Sequence, residues 1–135
     1  MPEDLSIVQA DSKADCYQNI LPQIASLVAG EPDLIANLAN ISAALMEQFR
    51  FLWVGYYLPR GDELVLGPFQ GPVACTRIRK GKGVCGASWE AGKSLVVPDV
   101  SQFKGHIGCS SKSRSEICVP LFREGCMLAL LDIDS

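Results

Sequence analysis

Apolar residues in the first fifty positions recur every three or four places. From about Asp15 to Val28 they fall at Ile20, Leu21, Ile24, Leu27 and Val28, the spacing of one face of an α-helix. Pro22 lies inside this run, either in a first turn or as a break. Gly30 closes it, and Glu31-Pro32-Asp33 opens a second helix with proline near its first position. Leu34, Ile35, Leu38, Ile41, Leu45, Met46 and Phe49 carry that helix to about Phe49, the strongest helical signal in the chain. Residues 1–14 read as a loosely held arm, and residues 15–135 as one domain.

After Arg50 the period changes. Phe51 to Leu58 (FLWVGYYL) is aromatic and β-branched, Pro59-Arg60-Gly61-Asp62 is a hairpin turn, and Glu63 to Phe69 is the returning strand. A third strand is expected from about Ala74 to Ile78, followed by the glycine-rich 79-RKGKGVCG-86 and a short helix over 84–91. A strand over 94–98 and a long loop over 101–113 lead to 115-SEICVPLF-122, a turn at Arg123-Glu124-Gly125, and the last strand 126-CMLALLDID-134. This order implies an α+β fold. A central antiparallel sheet would carry the N-terminal helices on one face and a ligand cavity on the other.

Composition narrows the function. The 135 residues are 48% hydrophobic with a net charge of −3, enough apolar surface for one core. Lysine and arginine form no stripe, which argues against nucleic acid as a partner. No apolar run approaches the ~20 residues of a membrane span, and the acidic N-terminus does not read as a signal peptide. The compartment is therefore expected to be cytoplasmic and reducing. In such a setting the six cysteines are not staples, so some should be core residues and some reactive.

Cys109 stands in a polar loop with His106, Lys112 and Arg114 nearby, the electropositive setting that lowers a thiol pKa. Four roles fit it at this point: nucleophile, metal ligand, half of a disulfide, or small buried residue. A zinc site from Cys75, Cys85, Cys109 and His106 lacks a paired C-x₂-C, and no metal is expected. Cys118 and Cys126 sit in hydrophobic strands and read as core, and Cys16 as a helix residue without a task. Trp53 and Tyr57 are four apart and share one strand face, as do Asp132 and Asp134. Core packing and a solvated strand end are the plain readings; a pocket wall and an acidic site are the others. The glycine-rich loop lacks the G-x₄-G-K-[ST] spacing of a phosphate cradle. A flexible flap carrying Cys85 toward the cavity is the simpler expectation.

Several separate phrases, in order, resemble one family. W-V-G-Y-Y-L at 53–58, L-G-P-F-Q-G at 66–71, A-C-T-R-I at 74–78 and G-K-G-V-C-G at 81–86 are similar to the free methionine-(R)-sulfoxide reductases, small GAF-domain enzymes. So are H-I-G-C at 106–109, S-E-I at 115–117 and L-D-I-D-S at 131–135. The resemblance implies Cys109 as attacking thiol, Cys75 as resolving thiol that forms a disulfide with it, and Cys85 as an alternative partner. It implies Glu116 and Asp134 near the sulfoxide oxygen, with at least one protonated, and Asp132 on the substrate ammonium group. Trp53 and Tyr57 would line the pocket around the methyl and the oxidised sulfur. No bound cofactor is implied, and thioredoxin is the implied external reductant of the disulfide. The role of His106 stays open. Family domains continue past L-D-I-D-S into a helix that pairs with the N-terminal one, so a missing C-terminal helix, and a homodimer, are further expectations. The rival is a GAF-type ligand-binding or redox-sensing module without turnover.

Overall fold

Both N-terminal helices begin on side-chain caps. In a computed structural model that describes residues 4–9, 11–109 and 112–135, Ser12 Oγ accepts from the Asp15 N–H at 3.2 Å and starts α1 (Lys13–Val28). Asp33 Oδ1 accepts from the Ala36 N–H at 2.8 Å and starts α2 (Leu34–Phe49). Pro22 turns out to lie inside α1 without ending it. It leaves one carbonyl, that of Gln18, without its helical donor, on an exposed part of the helix.

Within the described part of the arm, residues 4–9 and 11–14, two backbone carbonyls are tied to the helices. Gln23 and Asn19 of α1 donate to the Ser6 carbonyl at 3.0 and 2.8 Å. Gln48 of α2 donates to the Val8 carbonyl at 2.8 Å.

Six strands follow: β1 (Trp53–Arg60), β2 (Glu63–Gln70), β3 (Arg77–Arg79), β4 (Leu95–Val97), β5 (Glu116–Arg123) and β6 (Cys126–Asp134), with α3 (Gly83–Ala91) between β3 and β4. They form one antiparallel sheet in the order β3-β2-β1-β6-β5-β4. The third strand is shorter than its sequence suggests. Thr76 still accepts from the Leu66 N–H at 2.9 Å, but Ala74 and Cys75 leave the ladder: the Cys75 carbonyl is taken by the Tyr57 hydroxyl at 2.8 Å and Cys75 is covalently held elsewhere.

The two faces of the sheet are covered differently. Val54 and Ile133 pack against Ile20, Ile24, Ala44 and Leu45 of the helices, and Tyr56, Leu58 and Ala129 pack against Leu38. Trp53, Tyr57, Cys118 and Leu130, from alternate positions, face Val84 and Cys85 of α3 instead. The period of two thus sends one set of side chains to the helical layer and the other to the opposite side. Cys126 corrects the reading of it as core. It is exposed, since it pairs with Arg123 beside the Glu124–Gly125 turn, at the end of the ladder.

Gly55 sits mid-strand for a packing reason. A Cβ there would collide with Phe69 Cβ and come within 2.8 Å of the Trp53 ring, which stacks on Phe69 at 5.2 Å between centroids. Gly55→Ala is expected to cost about 1–3 kcal/mol by overpacking. Urea unfolding should show a lower midpoint at unchanged slope.

Candidate active site

The sheet register assembles the acidic cluster. Antiparallel partners share a face, and β5 pairs with β6 so that Glu116 lies opposite Asp134 and Cys118 opposite Asp132. On the other side of β6, β1 sets Trp53 opposite Asp134 and Gly55 opposite Asp132. Trp53, Tyr57, Glu116, Cys118, Asp132 and Asp134 therefore all point away from α1 and α2. With α3 and His106, Ile107, Cys109 and Ser113, all of them but Cys118 line an open-mouthed cavity. Its floor carries Glu116, Asp132 and Asp134; its walls include Trp53, Tyr57 and Cys85, and Cys109 stands at its lip.

One of the two plain readings from sequence gives way, and the other, core packing, holds beside the pocket-wall reading. Asp132 is 5% exposed and Glu116 9%, so this strand end is not a solvated terminus. Trp53 and Tyr57 are buried as core residues are, yet both line the cavity. Trp53 is fixed by donating from Nε1 to the Pro72 carbonyl at 3.1 Å and by lying 6.0 Å from the Tyr57 ring.

Of the three sequence-singled cysteines, two are joined. Cys75 and Cys109 form a disulfide with Cα atoms 5.5 Å apart, an ordinary spacing for such a bond. Cys109 is exposed and Cys75 half-buried, so an external thiol can reach the bond. The Cys₃His set drawn from spacing is not assembled, because these two sulfurs bond to each other. Cys85 corrects another expectation. It is not on a flexible flap but in the first turn of α3, 3% exposed. The glycines around it serve packing: a Cβ on Gly86 would lie 2.5 Å from the Arg79 carbonyl oxygen.

His106, whose role was open, lies with Nε2 3.7 Å from Glu116 Oε1. Two further groups were missed by sequence reasoning. Cys118 is fully buried, as expected of core, but its thiol reaches Glu116 Oε2 at 3.7 Å and Asp132 Oδ1 at 3.6 Å. The alternation in S-E-I-C was the available signal, since residues two apart share a face. Ser113, whose hydroxyl lies 3.5 Å from Asp134 Oδ1, had no such signal.

Crowding controls the protonation of this cluster. Burial, with Cys85 and the Glu116 carboxyl beside it, raises the Asp132 pKa well above the usual carboxylate range. Burial, then Glu116, pushes Asp134 up to about 7, against the lowering effect of Ser113. The Cys118 hydrogen bond and burial raise the Cys85 thiol. Cys118's bond with Cys85 pulls its own thiol down, but burial and the Asp132 and Glu116 charges outweigh that. Neither buried thiol is thus a ready nucleophile.

These shifts have a stability consequence with a definite sign. Asp134 binds its proton more tightly folded than unfolded, so its contribution is full below the unfolded value of 3.8 and is lost as pH rises through about 7. Removing the ionisable group should then help most in alkali. Asp134→Asn is expected to raise Tm by a few degrees at pH 8, on a scale of about 3–5 °C per kcal/mol for a chain of this length. The gain should shrink toward pH 5. Thermal melts across that range check it.

The GAF domain family model matches residues 33–135. A Dictyostelium discoideum protein described as GAF domain-containing protein A is 59% identical, over all of this chain and 85% of its own length. The Escherichia coli free methionine-R-sulfoxide reductase is 43% identical over 92% of this chain and 76% of its own. The crystal structure of free methionine-R-sulfoxide reductase from Neisseria meningitidis, in complex with its substrate, superposes with a TM-score of 0.94 at 54% identity. That match covers 98% of this chain and 80% of that one.

Proposed function

The chain belongs to the GAF-domain free methionine-R-sulfoxide reductases, and from that premise we propose how its own residues carry out the reduction of free L-methionine-(R)-S-oxide to methionine. The observation that carries the reading is the Cys75–Cys109 disulfide at the lip of a cavity floored by three carboxyl groups. A redox-active thiol pair and a proton source are the two things sulfoxide reduction needs.

In the reduced enzyme the Cys109 thiolate attacks the sulfoxide sulfur. An S–S bond forms as the S–O bond breaks and the oxygen, taking two protons, leaves as water. Water then attacks the Cys109 sulfur, the S–S bond breaks, and methionine leaves with Cys109 as a sulfenic acid and one proton released. The Cys75 thiol then attacks the sulfenic sulfur, forming the disulfide and releasing water. Two external thiols restore the dithiol; a thioredoxin-type protein is the reductant that fits a bond half open to solvent. The redox step goes to Cys75 rather than Cys85, whose sulfur faces Cys118 and Glu116 and is held protonated.

Asp134, with a pKa near 7, is the proton donor to the departing oxygen, assisted by Glu116. Asp132 takes the substrate ammonium, a charge whose arrival also relieves the crowding of carboxyls. Trp53 and Tyr57 enclose the methyl group. The Tyr57 hydroxyl, by holding the Cys75 carbonyl at 2.8 Å, acts as a positioning residue for the resolving thiol.

An ammonium subsite makes free and blocked substrates the discriminating pair. With a thiol reductant present, the protein should consume the R epimer of free methionine sulfoxide and leave the S epimer. N-acetylation of the substrate should raise KM strongly. Equal use of the acetylated compound would remove Asp132 from its assigned role. No turnover of either epimer would favour a sensing module.

A further inference from the structure

Cys118 has no part in the reaction described, yet its sulfur lies at the centre of the acidic cluster. Cys85, Glu116, Cys118 and Asp132 each offer one ligand atom, all within 4.8 Å of one another and all on buried residues. We propose that these four side chains form a closed site for a zinc-like d¹⁰ divalent cation, and that filling it shuts the enzyme off.

Four of the six separations match a tetrahedron around such an ion. With metal–sulfur bonds of about 2.3 Å and metal–oxygen bonds of about 2.0 Å, tetrahedral angles put sulfur–sulfur at about 3.8 Å and sulfur–oxygen at about 3.5 Å. The two sulfurs are 3.4 Å apart. Glu116 Oε2 is 3.6 Å from Cys85 Sγ and 3.7 Å from Cys118 Sγ, and Asp132 Oδ1 is 3.6 Å from Cys118 Sγ. Those four separations lie within a few tenths of an ångström of the tetrahedral values, and Asp132 lies within 4.8 Å of the Cys85 and Glu116 ligand atoms, so closing on a cation asks mainly for a movement of the Asp132 carboxylate. Three ligands stand on paired strands, with Cys118 directly opposite Asp132, so most of the geometry is built in before binding.

The donor set selects the ion. Two thiolates and two carboxylates suit zinc or cadmium rather than magnesium or calcium, which take oxygen alone. Both sulfurs ligate as thiolates and release their protons to solvent. Four protein ligands leave no open position for water or substrate, which makes the ion inhibitory rather than catalytic. The inhibition rests on the substrate placement proposed above, because the metal takes Asp132 and Glu116. Binding itself does not depend on it. Neither Cys75 nor Cys109 takes part, so the disulfide form binds metal too.

Cadmium titrated into the disulfide form of the full chain tests this, since the two joined sulfurs cannot then compete. One cadmium per chain should appear with thiolate-to-metal charge-transfer absorption of the strength of two thiolates. Cys118→Val should weaken binding by more than ~100-fold, beyond the 10–100-fold typical of losing an outer partner. Far-ultraviolet circular dichroism checks that the variant is folded. Free methionine sulfoxide, which the disulfide form cannot reduce, should displace the metal. Absence of the charge-transfer band in the unmodified chain overturns the site without recourse to any variant, as does an unchanged band in folded Cys118→Val. A two-thiolate band that excess sulfoxide leaves intact upholds the metal site and overturns the substrate placement.

Discussion

Cys109→Ser is expected to abolish methionine formation, with kcat/KM falling by at least ~10⁴-fold, the scale on which loss of a nucleophile is felt. A serine hydroxyl in an exposed polar loop has neither the acidity nor the affinity for oxygen that the step demands. The loss should appear in the first equivalent as well as in steady state, because Cys75 does not line the cavity and no other thiol that does is poised to replace Cys109. Cys85 and Cys118 are buried and their thiols are raised, with carboxyls beside them. Cys126 is exposed but lies at the far end of β6 from Asp134. Quenched-flow detection of methionine from the fully reduced variant checks this. A surviving first equivalent would move the nucleophile elsewhere.

Cys75→Ser separates the two halves of the cycle. The first equivalent of methionine should form at the rate of the unmodified chain, leaving a sulfenic acid on Cys109. Turnover driven by a protein dithiol such as thioredoxin should fall by ~100-fold or more, since an intramolecular thiol acts at an effective concentration that an external one does not reach. A small thiol at high concentration should restore part of the rate by reducing the sulfenic acid directly. Loss of the first equivalent instead would mean that Cys75 shapes the pocket rather than resolving the intermediate.

The sequence made the layers legible because their periods are clean. Leu45 on α2 meets Val54 and Ile133, and Leu38 meets Tyr56, Leu58 and Ala129, where spacing alone would put them, while Leu21, Leu34 and Ile35, read from the same spacing, are exposed. The pairing of Asp132 with Asp134 was visible for the same reason. What spacing did not reveal is which strands are neighbours. The acidic cluster depends on β6 lying between β1 and β5, a fact of register that brings together residues far apart in the chain. Cys118 is core as read, but its acidic neighbours were hidden on that account: inside EICVPLF it is one more apolar residue, and only the strand opposite supplies Asp132. Cys126 was misjudged for a simpler reason, since an apolar run says little about where a ladder begins to fray. The short β3 was hidden as well, because the Tyr57–Cys75 hydrogen bond that ends it is long-range.

The most direct test is a single turnover without reductant. Fully reduced protein is mixed with excess free methionine-(R)-sulfoxide, methionine is counted per chain, and the product is digested and mapped by mass spectrometry. The chemistry described here predicts one methionine per chain, the loss of two thiols, and a disulfide joining the peptides that contain Cys75 and Cys109. Methionine formed with the Cys109 thiol still free, or with the disulfide on another pair, would contradict it.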